Sequence, residues 1–350
     1  MFDGDILILR GAEISALLEN REAEIIDTIQ SAYETHGRGA SSLPRSNFLR
    51  FPGENKNRII ALPAYLGDDF QMAGIKWVSS FPGNLEQGLD RASAVMILNS
   101  TETGRPQAIL EGSIISAKRT AASAALAARA IRQNRETTTA GIIGCGLINF
   151  QVVQFLLTAC PAIKKLVVCD LVVSRVQHFK NSCEQRFAGL TIEVASDIAA
   201  LLGSCDVVSF ATTTVAPHIF DLSPCAPGTT ILHISLRDLS PELILANDNV
   251  VDDIEHVCQA QTSVHLAEQL VGGRDFIRCT LADILAGNAP ATKDTEGIVI
   301  FSPFGMGVLD LALGKLAYEQ GRKKGMGSVV NSFLPPSWEE KKSTAHQTAG

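Results

Sequence analysis

The sequence predicts an α/β protein in two parts, a Rossmann-type doubly wound sheet and a discontinuous α+β domain. Three observations carry this expectation. Short apolar strands alternate with helical segments from about residue 139 to 302, the signature of a parallel sheet with helices on both faces. A glycine-bearing strand-to-helix turn opens that region, at Ile142-Ile143-Gly144-Cys145-Gly146-Leu147. The first third instead offers irregular, arginine-containing strands after a single early helix.

Taken in order, residues 21–36 read as a helix, followed by strands at Ser46–Phe51, Arg58–Pro63, Ala73–Ser79 and Ala92–Asn99. Asn99 to Gly104 reads as a hairpin turn. Ser113–Arg132 reads as one long helix joining the two parts, and its run Ala121-Ala122-Ser123-Ala124-Ala125 would admit another helix at close range. Strands are then expected at Ala140–Ile143, Leu166–Cys169, Thr191–Val194, Val207–Ala211, Thr230–Ser235, Val250–Asp252 and Ile298–Phe301, with helices such as Ser174–Phe187 and Glu255–Leu270 between them. Helix Gly307–Gly321 is expected to return to the first part. The expected division is a substrate-binding and dimerisation domain at 1–130, completed by 305–330, a nucleotide-binding domain at 131–304, and a disordered polar tail at 335–350.

Composition narrows the function classes. The 350 residues, 46% hydrophobic and 19% charged, suit two globular domains. A net charge of −7 without a basic cluster excludes nucleic acid as the expected partner. The acidic start, Met1-Phe2-Asp3-Gly4-Asp5, lacks the pattern of a signal peptide, and no apolar run reaches a membrane-span length, so a cytoplasmic protein without membrane partners is expected. Eight cysteines without a C-x-x-C pair read as free thiols in a reducing compartment. The scattered histidines suggest no metal site.

The glycine turn presents a helix N-terminus to a pyrophosphate. Gly144 permits the tight turn, and Gly146 lets the backbone approach the phosphates. Asn149 occupies the third small position of the fingerprint, where a side chain is expected to loosen helix packing. Asp170 closes the next strand, slightly beyond the usual offset of about 20 residues for the ribose-binding acid. A carboxylate there favours NAD over NADP, because it accepts from ribose hydroxyls and repels a 2′-phosphate. Gly144, Gly146, Leu147, Ile148, Asp170 and Thr212 are the expected cofactor residues.

Three further residues could carry chemistry. Lys76 shares a strand face with Gly74 and Val78, so it is either a solvated lysine or an ammonium that binds a carboxylate and moves protons. Arg119 lies on one helical face with Ile115, Ala122 and Leu126, where a guanidinium requires an anion, either a structural acid or a substrate carboxylate. Asp238 follows a strand's carboxyl end, where ligands bind in open α/β sheets. Ser240 before Pro241 already caps the next helix, so Asp238 is either an acid-base group or the ion-pair partner of Arg237. Arg45, Arg50, Arg58 and Arg91 make the first domain rich in arginine, which suits a small anionic substrate.

These stretches together resemble the ornithine cyclodeaminase/mu-crystallin family up to about residue 330. The matching residues are Arg58-Ile59-Ile60-Ala61-Leu62-Pro63, Gly74-Ile75-Lys76-Trp77, Arg91-Ala92-Ser93, Lys118-Arg119-Thr120-Ala121-Ala122, the glycine turn, and Pro303-Phe304-Gly305-Met306-Gly307. The resemblance implies that Lys76 is the family's active-site lysine, Arg119 its carboxylate-binding arginine, and Asp238 its catalytic aspartate. Arg45 or Arg50 matches the family's other carboxylate-binding arginine, Arg45 being the one preferred, and Arg91 is a further expected substrate residue. The resemblance also implies NAD as cofactor, a small anionic amino-acid substrate, and a homodimer through the first domain. Within the family the likeness is strongest to the branch that oxidises N-(1-carboxy-2-aminoethyl)-glutamate to 2-oxoglutarate and 2,3-diaminopropionate. The loop Leu239-Ser240-Pro241 departs from the Cys-Pro-Gly type of the cyclodeaminases and counts against ornithine. Ornithine cyclisation, imine reduction and crystallin-type binding without turnover are the rival readings.

Overall fold

The computed structural model describes residues 4–133 and 135–336. The polar tail expected at 335–350 falls almost wholly outside them. Contacts divide the chain into two compact units. Among the described residues, the first takes the chain up to Glu19, Ser42–Ile115 and everything from Asp310. The second takes Asn20–Ser41 and Ser116–Leu309.

The second unit is built on an eight-stranded sheet. Its strands run in the order Thr191–Val194, Lys165–Cys169, Thr139–Ile143, Val207–Phe210, Thr230–His233, Val299–Ser302, Asp248–Val251, Ile277–Thr280. Every pairing is parallel. Ile142, Val168, Val208, Ile231 and Ile300 have no exposed surface, and each such side chain contributes roughly 1.5–3 kcal/mol of transfer free energy. That burial on both faces explains why these strands read as continuous apolar runs. The strand order reverses between Thr139–Ile143 and Val207–Phe210, which is the switch point where such sheets bind ligands.

The domain division expected at residue 130 is displaced. Helix Glu22–Gly37 and most of helix Ser113–Ile131 belong with the parallel sheet. The cause is the small-residue run: Ala121, Ala122, Ala124 and Ala125 have no exposed surface, and Tyr33 Oη bonds Ser123 Oγ at 2.7 Å. Arg129 adds a bond to Gln30 at 3.0 Å. The small face is therefore covered within the chain. Helix Glu255–Leu270 is also corrected: it is two pieces, Ile254–Val257 and Ser263–Val271. Ala260 and Gln261 break it with φ of 55° and 56°, and Thr262 caps the second piece by accepting from His265 N. Strand Ile277–Thr280, which buries Ile277 and Cys279 in alternation, was not expected from the sequence, being only four residues long.

The first unit holds a mixed sheet. Its path is Ser328–Val330, Ile6–Leu9, Pro106–Glu111, Ala92–Ser100, Met72–Ser80, Glu54–Leu66, with Asn47–Phe51 added against the last. Only Ile6–Leu9 with Pro106–Glu111 is parallel among these pairs. Helix Gly307–Lys324 covers one face: a Cβ on Gly74 would meet Leu311 at 3.0 Å, and one on Gly314 would meet Met96 at 2.9 Å. The other face leaves Trp77, Val95 and Leu49 exposed. All eight cysteines are free thiols, and burial pushes Cys145 and Cys183 up to about 12.

Candidate active site

In a parallel sheet every strand ends on the same edge, so the second unit's candidate residues collect there. Gly144 has φ of +94°, and a Cβ on it would lie 2.5 Å from Ala211 O. Both facts require glycine. Gly146 caps helix Leu147–Ala159 with open space where a Cβ would point, and Leu147 is 63% exposed. Asp170 accepts from Cys145 N at 2.8 Å and from Val172 N at 2.9 Å, so its carboxylate stands at the glycine turn. Open backbone, a helix N-terminus and an adjacent acid fit a dinucleotide. Ile148 is half-buried in the first turn of that helix.

Asn149 does not loosen the turn as expected. It is fully buried, and its amide donates to Ile143 O at 2.9 Å and Gly144 O at 2.8 Å. Its Oδ1 accepts from Ser209 Oγ at 2.6 Å, which ties the turn to the strand across the switch point.

Asp238 has no exposed surface. Thr212 Oγ1 donates to its Oδ1 at 2.5 Å, and Ser235 Oγ donates to Oδ2. His218 Nε2 lies 3.1 Å from Oδ1, and His233 Nε2 lies 3.4 Å from Oδ2. His233 Nε2 also faces the Asp238 backbone N–H at 3.1 Å, while its Nδ1 sits 3.3 Å from Ser302 Oγ. Burial by itself would raise the carboxyl. The His233 contact and charge, with Ser235 and Thr212, outweigh it and hold Asp238 well below the usual carboxylate range. Arg237 reaches instead to Ala260 O at 2.6 Å. The predicted cofactor residue Thr212 and the predicted catalytic Asp238 are thus directly bonded. Leu236, in left-handed backbone at φ of 67°, sets the turn that buries Asp238.

Arg119 is buried in the second unit beside Gly305, whose φ is +93° and whose Cβ would lie 2.6 Å from Nη1. Asp252 fixes that loop, accepting from Phe304 N at 2.9 Å and Gly305 N at 2.6 Å. Burial, against those bonds, raises the Asp252 carboxyl.

In the first unit Lys76 is buried, which removes the solvated-face alternative. Its Nζ donates to Asp310 Oδ2 at 2.8 Å, with both side chains nearly inaccessible. Met72, Lys76 and Ser80 are the buried positions of their strand face, and Arg91 Nη1 donates to Ser80 Oγ at 2.9 Å. Burial lowers the Arg91 guanidinium. Arg45 is exposed in the loop before Asn47–Phe51, and Arg50 is exposed with its guanidinium 5.6 Å over Phe48.

Sequence reasoning missed His218, His233, Ser235, Asp252 and Asp310. Only Asp310 left a signal, as a single acid inside the apolar run Val308-Leu309-Asp310-Leu311-Ala312-Leu313. Among the described residues no group of three His, Cys, Asp or Glu could hold a metal, and no helix is long and apolar enough to cross a membrane.

A doubly wound sheet with a glycine turn, an acid beside that turn and a carboxylate network at its switch-point edge defines a dinucleotide-binding protein of dehydrogenase type. Residues 8–325 match the ornithine cyclodeaminase/mu-crystallin family, and the chain belongs to it. It is 27% identical over 337 residues to the N-((2S)-2-amino-2-carboxyethyl)-L-glutamate dehydrogenase of Staphylococcus aureus, covering 94% of this chain and 99% of that one. The structure of Thermococcus litoralis Δ1-pyrroline-2-carboxylate reductase with NADH and L-proline superposes with a TM-score of 0.85 at 25% identity, covering 92% and 99%. An archaeal alanine dehydrogenase dimer with bound NAD superposes with a TM-score of 0.82 at 28% identity, covering 93% and 99%.

Proposed function

We propose that this chain is an NAD-dependent oxidoreductase that oxidises N-(1-carboxy-2-aminoethyl)-L-glutamate and hydrolyses the product to 2-oxoglutarate and L-2,3-diaminopropionate. The observation that carries it is the shared edge of the parallel sheet, where the glycine turn, Asp170, Thr212 and the Asp238 network meet. The Staphylococcus relative supports the choice of substrate.

NAD, held by Gly144, Gly146, Leu147, Ile148, Asp170 and Thr212, supplies the hydride acceptor. Arg119 offers a buried guanidinium to a substrate carboxylate, and a planar fork suits that anion. Lys76, Arg91 and Arg45 are the first unit's candidate cations for a small anionic amino-acid substrate. The Asp238 network manages the protons released when the amine becomes an imine and when water adds to it. The chain acts as a homodimer through the exposed apolar face around Trp77 and Val95, consistent with the dimeric alanine dehydrogenase.

Two substitutions test the assignments singly. Asp170→Ser is expected to raise the KM for NAD by about tenfold and to improve NADP use relative to NAD, since it removes both the ribose acceptor and the charge that repels a 2′-phosphate. An unchanged NAD/NADP ratio of kcat/KM would remove Asp170 from the ribose. Gly305→Ala is expected to push the Arg119 guanidinium aside and raise the amino-acid KM by about tenfold, with NADH affinity unchanged. An unchanged KM would detach Arg119 from the carboxylate.

The reaction itself is tested by NADH formation from N-(1-carboxy-2-aminoethyl)-L-glutamate, L-alanine, L-proline and L-ornithine, compared at equal concentration. The highest kcat/KM is expected with the first. A preference for L-alanine or L-proline would move the chain to another branch of the family, and proline and ammonia from ornithine without net NADH would make it a cyclodeaminase.

A further inference from the structure

We propose that His218 is the group that exchanges protons with the substrate, and that Asp238 acts through it as a positioning carboxylate. The proposal rests on the oxidoreductase reading above and specifies where that site keeps its mobile proton.

The argument begins with what Asp238 can still accept. A carboxylate offers about four lone-pair positions. Here Thr212 and His218 face Oδ1 and Ser235 donates to Oδ2, while His233 Nε2, 3.4 Å from Oδ2, accepts from the Asp238 backbone N–H. Those three side chains occupy most of its positions, and with no exposed surface it is closed to solvent. Its environment also keeps it ionised, because the donors outweigh the cost of burial. A general base must both reach its proton and give it up again, and Asp238 is poorly placed for either.

His218 differs on each count. Its side chain is 39% exposed, whereas Asp238 and His233 are closed off. It lies beyond strand Val207–Phe210, on the sheet edge that carries Thr212 and the glycine turn. Two backbone bonds hold it there: His218 N and Ile219 N both donate to Asp238 O at 2.9 Å. With Nε2 directed at the Asp238 carboxylate, Nε2 carries a proton and Nδ1 is left to accept one. A buried carboxylate that fixes the tautomer and stabilises the imidazolium is a general device for making histidine a base. The titratable and charged groups around this pair are Asp238 itself, His233 from strand Thr230–His233, and Arg237, which is turned to Ala260 O.

The steps balance as follows. The substrate nitrogen gives its proton to Nδ1 of His218 as the hydride on the adjacent glutamate carbon leaves with NAD, and a C=N bond forms. Water then adds to that carbon, giving one proton back through His218 to the nitrogen. The hydroxyl proton of that adduct then passes through His218 to the nitrogen as the C–N bond breaks and the C=O bond closes, releasing 2-oxoglutarate and 2,3-diaminopropionate, and the proton taken up at the oxidation step is released to solvent for each NADH.

The test uses the full-length protein and whichever amine in the substrate comparison gives the highest NADH rate. His218→Gln and His218→Ala are expected to lower kcat by about 10²–10³-fold, with NADH affinity by fluorescence titration within threefold of the unsubstituted protein. The acid limb of kcat against pH should flatten in His218→Gln. Added imidazole should restore His218→Ala in proportion to its concentration, which a merely structural histidine would not allow. A kcat within threefold, a retained acid limb, or a loss that imidazole does not repair would overturn the proposal. Loss of NADH binding in both variants would assign His218 to the cofactor site and overturn it equally. Activity on L-alanine alone would remove the proposed substrate but leave this test intact; no NADH from any amine would remove both readings.

Discussion

Asp238→Asn is expected to lower turnover by about 10³-fold while leaving NADH affinity within twofold. The two side chains have the same shape, so the loop built on Leu236 and the Ser240 cap is retained. The chemistry is not retained. Thr212, Ser235 and His218 are all directed at the carboxylate, and an amide brings its own two N–H groups into that ring of donors. At least one neighbour then loses its acceptor, and the negative charge that aligns His218 disappears. The glycine turn is held separately by Asn149 and Asp170 and should bind NADH as before. Turnover within tenfold of the unsubstituted protein would show that this carboxylate has no part in catalysis.

Lys76→Met should destabilise the protein by roughly 3–5 kcal/mol, because it leaves the Asp310 carboxylate buried without its partner. Pairing it with Asp310→Leu should recover most of that loss, since a well-packed apolar pair can replace a buried ion pair at little cost. Urea unfolding of the two single variants and the double variant measures both effects. Turnover separates the two meanings of the lysine. If Lys76 binds substrate, the double variant folds well and stays at least about 100-fold slower. If the pair is only structural, the double variant regains turnover along with stability.

The nucleotide-binding half was legible because its signals are local. Strand, glycine turn, helix and acid follow one another from Thr139 to Asp170, and each local preference agrees with the final fold. Helix Ser113–Ile131 was legible by its periodicity, but its cover was not. The small-residue run implied a close neighbour without saying that Glu22–Gly37 supplies it from the same chain. The helix expected at Glu255–Leu270 failed for a similar reason. Nothing near Ala260 forbids helix, yet Ser263 N donates to Leu236 O and its hydroxyl to Leu239 O, and these tertiary bonds open the chain there.

The site divides in the same way. Lys76, Arg119 and Asp238 were identified by their element and their resemblance, but their partners lie far away in sequence. Asp310 is 234 positions from Lys76, and His218 is 20 from Asp238. The sequence offered a lone lysine and a loop aspartate; the fold makes them a buried ion pair and the anchor of a histidine.

The most direct test of the central claim is product stoichiometry with N-(1-carboxy-2-aminoethyl)-L-glutamate and excess NAD. One 2-oxoglutarate and one 2,3-diaminopropionate for each NADH are expected, with both products absent when NAD is omitted. NADH without 2-oxoglutarate, or no NADH while the protein still binds NAD, would contradict oxidative hydrolysis as the reaction of this chain.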